Sequence, residues 1–256
     1  MVKNVRIREG LQNFRTFYWA AVLFLIFLAY GLLTYNYTYV SGDLGEYVNN
    51  ALRVYNGEIP YRDFWLLFPP GEVYFPAWLY RIFGLNVNVA LLSWPVVAAL
   101  VGVASFVLGK IIFRGVWGSS GFALLLAILM FFNGLLHVHF LLLLLATMFF
   151  VEFLRVEKWW KLFVAGLFVG MAFYFRFFEV AAYVLALEMV LLGKGFSKFC
   201  KYSLIFVLGI SLMMLVLYFP LFEQRELIVQ SVFFDSLSHG TSMNLPYFDL
   251  VKSSWS

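Results

Sequence analysis

Seven near-continuous apolar runs dominate this chain, at 17–35, 87–109, 117–134, 138–154, 161–176, 177–193 and 202–221. A helix needs about 20 mostly apolar residues to cross the hydrocarbon core of a bilayer. Hydrophobic residues make up 63% of the chain and charged residues 12%, and the mean hydropathy is +0.87. A soluble domain runs at about 45–50% apolar and about 25% charged. A water-soluble globule of this size has too much outside to hide so much apolar surface. The expected fold class is an all-α polytopic membrane protein with about seven transmembrane helices. The fifth and sixth runs abut at Arg176, and a re-entrant hairpin is the alternative there.

Charge placement supports that count. With the N-terminus in the cytoplasm, Lys3, Arg6, Arg8, Arg15, Lys110, Arg114, Arg155, Lys158, Lys161, Lys194, Lys198 and Lys201 all fall inside, 12 of the 18 Lys and Arg. Every short inner loop is then basic, as the positive-inside rule requires. The first run shows no small-residue cleavage site and reads as an uncleaved helix. One cysteine, Cys200, excludes an intramolecular disulfide and a cysteine zinc cluster. The net charge of +4 does not support a nucleic-acid partner; the bilayer is the expected one.

Residues 36–86 form a long outer loop, and 222–256 an outer tail. The loop holds Asp43, Glu46, Glu58, Asp63 and Glu72, five of the 14 acids. Leu44, Tyr47, Val48, Ala51, Leu52 and Tyr55 recur at helical spacing and predict a short amphipathic helix stopped by Asn56-Gly57, with its apolar face on the membrane. The prolines at 60, 69 and 70 predict extended chain from Pro60 to Pro70. Glu72 to Phe83 reads as a second interfacial helix, interrupted by Pro76 and ended by Gly84.

Several polar residues at the outer face are candidates for chemistry. Asp43 can act as a general base toward an acceptor hydroxyl. It is equally placed to cap a helix, with Glu46 three residues on completing a capping box. Arg62 offers a planar fork for a phosphate, and Asp63 is a second acid or simply the partner of Arg62. His137 and His139 stand at i, i+2 and so do not share a helix face, which argues against a shared metal. His139 is a substrate contact or an interfacial residue. Arg176 is an ionisable group at membrane depth, and Glu179 at i+3 is a possible neutralising partner. Glu188 has no evident partner in its own helix.

The loop as a whole resembles the GT-C glycosyltransferases, in the branch of the protein O-mannosyltransferases and aminoarabinose transferases. The resemblance rests on Gly42-Asp43-Leu44-Gly45-Glu46-Tyr47, Ala51-Leu52-Arg53, Asn56-Gly57-Glu58-Ile59-Pro60-Tyr61-Arg62-Asp63-Phe64, Pro69-Pro70-Gly71 and Arg81-Ile82-Phe83-Gly84. It covers roughly residues 1–200 and implies a GT-C-like transmembrane domain over 1–221. It also implies inverting transfer of a sugar from a polyprenyl-phosphate donor to an acceptor glycan, lipid or protein hydroxyl at the outer face. Asp43 matches the catalytic acid of the family, and Glu46, Arg62, Asp63, His139 and Arg176 are the expected substrate-binding residues. Two positions depart from the pattern: His139 stands where relatives often carry an acid, and Phe68 where relatives carry a Lys before the double proline. The chain is also short for the family. No cofactor is expected, and the sequence is silent on a divalent metal. The rival readings are a non-catalytic subunit or inactive remnant of the family, and a transporter or flippase. The nearly bare mid-membrane stretches argue against transport.

Overall fold

The computed structural model of the chain describes residues 2–34, 42–113, 118–123 and 138–235, with the side chains of all of these except 2–15, 34 and 42–44. The fold is all-helical, 86% helix, with no strand among the described residues. The helices are α1 (Val2–Thr34), α2 (Gly42–Tyr55), α3 (Gly71–Phe83), α4 (Val87–Phe113), α5 (118–123), α6 (Val138–Val156), α7 (Trp159–Phe173), α8 (Phe178–Leu192) and α9 (Phe196–Tyr218). After α9 the chain continues through a 3-10 turn (Phe219–Gln224), α10 (Arg225–Val229) and a π turn (Gln230–Asp235).

Four helical segments are long and apolar enough to cross a membrane: Thr16–Leu33, Val87–Phe113, Val138–Val156 and Phe196–Asp235. The chain is therefore built for a lipid bilayer. α7 and α8 have 15 residues each, about 22 Å of helix against a hydrocarbon core of about 30 Å. Of the third apolar run, only 118–123 lies within the described residues.

Small residues set the closest helix contacts. α1 lies antiparallel against α4. A Cβ on Gly31 would stand 2.9 Å from the Pro95 Cβ, and the Phe27 ring fills the space beside Gly102. α7 runs along α9 with Gly166 and Gly170 facing it; a Cβ on Gly166 would lie 2.3 Å from the Phe206 carbonyl oxygen, and one on Gly209 2.4 Å from that of Phe163. Gly166 and Gly170 are four apart on one helix face, so they let the two backbones touch, which is how helices pack tightly without a hydrophobic force between them. Around this contact Phe150, Phe153, Leu162, Val169, Tyr202 and Phe206 make the main core.

Helix ends define two faces. On the first, here the loop face, lie α2, α3, the α7–α8 link and the segment 219–235. They share one hydrophobic core of Val54, Tyr61, Phe64, Leu66, Val73, Leu221, Ile228 and Val232, with Phe177 packed against it. On the second, the basic face, Arg155 donates to the carbonyl of Ile111 at the end of α4, and Glu157 binds Lys194 and Lys198 across the α8–α9 link.

The loop departs from its sequence reading in two ways. The apolar side of α2 is covered by protein. Ala51 and Val54 are buried, Tyr47 meets Trp94 of α4 edge-on, and Tyr55 meets Tyr80 of α3. Once α3 and α4 are folded beside it, they offer closer apolar contact than a headgroup layer. Residues 60–70 are turned, with Tyr61 at φ 67° and a bridge between Pro60 and Phe64. Proline fixes its own φ and biases the residue before it, but not the one after. α3 also runs through Pro76 to Gly84, where φ is 89°.

Candidate functional site

The loop between α2 and α3 is folded around Arg53. α2 ends at Tyr55, and Gly57 at φ 95° reverses the chain at no steric cost. Arg53, in the last turn of that helix, donates to Glu58 Oε2 at 2.7 Å and to the Asp63 carbonyl at 2.9 Å, and its guanidinium lies 4.4 Å over the Phe64 ring. Three contacts on a rigid fork hold both sides of the loop. The sequence reading passed over Arg53; its place just before Asn56-Gly57 was the available signal.

Arg62 and Asp63 form a two-pronged ion pair, Nε to Oδ1 and Nη2 to Oδ2, both at 2.9 Å. The Ile59 amide also donates to Asp63 Oδ2 at 2.8 Å. The Arg62 hydrogen bond, then the Ile59 amide, hold the Asp63 carboxyl down at about 2. The pair is exposed, so it shapes the loop tip more than it stabilises the fold. Tyr61 points the other way, into the core, where its hydroxyl donates to the Phe68 carbonyl at 2.6 Å and burial pushes its pKa up. Trp65 donates its indole N–H to Asp235 at 3.3 Å, tying the loop to the π turn. Beside that contact is an open hollow of about 610 Å³ lined by Arg225, Glu226, Val229, Gln230, Phe234 and Asp235.

The N-terminus of α3 meets the α7–α8 link. The Gly71 amide donates to the Tyr174 carbonyl at 2.7 Å, and a Cβ on Gly71 would lie 2.5 Å from that oxygen, so only glycine fits. One residue on, Glu72 pairs with Arg176, Oε1 to Nε at 3.4 Å, and the Arg176 guanidinium lies 4.6 Å over the Phe68 ring. Spacing along the sequence had offered Glu179 as the partner of Arg176. The fold supplies Glu72 instead, from 104 positions earlier in the chain, which no local pattern reveals.

Asp43 lies in the first turn of α2, and its side chain lies outside the described residues, as does His137. Glu46 is exposed on α2. His139 is 1% exposed in the first turn of α6, its ring 4.2 Å from that of Phe140. The structure thus joins Arg62 to Asp63 and Arg176 to Glu72 and Phe68, but it does not bring Arg62 to His139. Among the described residues no three His, Cys, Asp or Glu side chains gather as a metal site.

No family model, curated protein or solved structure matches this chain.

Proposed function

We propose that this chain is a membrane glycosyltransferase that moves a sugar from a polyprenyl-phosphate donor to an acceptor hydroxyl on the loop face. The loop face is the extracytoplasmic one in this reading, because the described lysines all lie on the opposite face, as the positive-inside rule leads one to expect. α4 and α6 both run from the loop face to the basic face. In this reading they are counted with α1, α7, α8 and α9 as six of the seven expected passes, and the apolar run at 117–134 is taken as the other.

The observation that carries the proposal is the stacking of Arg176 on Phe68. Relatives in the family resemblance carry a Lys before the double proline, and here a cation from a different element occupies the same neighbourhood. Glu72 holds it there. A fixed cation stabilises negative charge as it develops on a leaving phosphate. In the proposed step the Asp43 carboxylate takes the acceptor hydroxyl proton while the oxygen attacks the anomeric carbon. The bond from that carbon to the phosphate oxygen breaks, and the lipid phosphate leaves with the electron pair, inverting the centre.

The non-catalytic reading is favoured by one observation: Arg62 already holds Asp63 through two hydrogen bonds and faces water. Both readings are separated by transfer assays with defined polyprenyl-phosphate sugars in vesicles, using the wild type, Asp43→Asn and Arg176→Gln. Turnover that falls at least about 100-fold in Asp43→Asn supports a general base. Equal turnover by wild type and Asp43→Asn removes Asp43 from the mechanism, and no turnover by the wild type supports the non-catalytic subunit.

A further inference from the structure

Asn50 is buried without a partner. It sits on α2 with 6% of its surface exposed, and its side-chain amide makes no hydrogen bond to any described residue. Both amide atoms keep accessible surface, unlike the Tyr80 hydroxyl on α3, which is sealed and equally unbonded. Tyr80 packs with Ala51, the residue after Asn50. A buried amide left unbonded destabilises a fold, and native structures seldom keep one without a reason.

Helix geometry places Asn50 on the same side of α2 as position 43. Seven residues are two turns to within about 20°, so the two positions lie in one line, about 10 Å apart along the axis. That side is turned to protein. Tyr47, three residues before Asn50, meets Trp94 of α4 edge-on, and Val54, four residues after it, is buried in the core shared with α3. Glu46, one turn before Asn50, is exposed. Asn50 therefore stands at the rim of the buried surface, where a ligand can reach its amide.

We propose that the Asn50 amide holds a hydroxyl of the sugar ring that the chain handles beside Asp43. An amide both donates and accepts, and so does a hydroxyl. A phosphate only accepts, and would leave the Asn50 oxygen unpaired. This contact rests on the glycosyl-transfer reading: Asn50 recognises the sugar, and Arg176 the lipid phosphate.

The test measures binding to the full chain in detergent by native mass spectrometry. The probes are decaprenyl phosphate, its glucosyl, galactosyl and mannosyl forms, and the free methyl glycosides of the same sugars. The wild type is expected to select at least one of the sugars. Asn50→Leu, close to Asn in shape, should bind that ligand about 10-fold more weakly. It should bind decaprenyl phosphate unchanged and raise the melting midpoint of the ligand-free chain, a pairing that a purely structural role would not produce. Asn50→Ala, smaller and easily accommodated, should show the same loss of sugar binding. A loss confined to the lipid-linked sugars assigns the contact to the donor, and one confined to the methyl glycosides to the acceptor. Sugar binding that depends on Asn50 in a chain that transfers nothing keeps the contact and removes the transferase. Transfer that Asp43→Asn abolishes and Asn50→Leu leaves unchanged removes the contact alone. Equal sugar binding by the wild type and both variants, an equal loss of decaprenyl phosphate, or no sugar selectivity in the wild type would each overturn it.

Discussion

Arg176 pairs with Glu72 at 3.4 Å and so fastens the α7–α8 link to the first turn of α3. Both side chains are mostly covered, 17% and 14% exposed. Removing one partner strands a charge with little water around it, which costs more than the pair itself contributes. Glu72→Gln and Arg176→Gln are each expected to lose about 2 kcal/mol. The double variant should lose less than the sum, with a coupling of about 1 kcal/mol or more. Denaturant titration in detergent measures all three.

The α7–α9 contact predicts a sharp contrast between glycines. Gly166→Val drives a side chain into the Phe206 carbonyl, 2.3 Å from its Cβ, so the helices must separate. A loss of about 3 kcal/mol and a lower melting midpoint are expected. Gly45, inside α2, has nothing within 4 Å of its Cβ position. Gly45→Ala should stabilise α2 by up to about 1 kcal/mol through helix propensity alone.

The loop tip should respond to acid. Asp63 has a folded pKa of about 2, below its ordinary 3.8. A depressed carboxyl contributes stability above its unfolded value and loses it as pH falls through the folded one. Protection of the Ile59 amide, which donates to Asp63, is therefore expected to hold down to about pH 4 and to vanish toward pH 2. Hydrogen exchange, corrected for intrinsic rates, reads this directly. Asp63→Asn should flatten the profile over that window.

Sidedness gives the last prediction. In a Cys200→Ser background, a cysteine at Asn56 lies on the loop face and one at Ser197 on the basic face. A membrane-impermeant maleimide added from outside should label Asn56→Cys and spare Ser197→Cys. Labelling of both from one side would contradict the two-face arrangement, and labelling of Ser197→Cys alone would invert the orientation.

Much of the framework was legible because membrane helices announce themselves by composition. α4 and α6 fall within a few residues of the apolar runs that predicted them, and α2 stops at Asn56-Gly57 as its periodicity implied. The candidate site was legible only in part. Arg62 with Asp63 are sequence neighbours and could be paired on paper. The partner of Arg176 could not, because Glu72 reaches it through the docking of α3 against the α7–α8 link.

The sequence by itself determined that this chain is a helical membrane protein, since lipid selects for long apolar runs with every backbone hydrogen bond made inside the segment. Tertiary structure alone decided that the first loop, the α7–α8 link and the segment after α9 share one core, and that α2 turns its apolar side to protein. Those outcomes depend on contacts between residues far apart in the chain, such as Trp65 with Asp235. Period and composition carry no record of such partners, because they describe what each segment can bury and not what it meets.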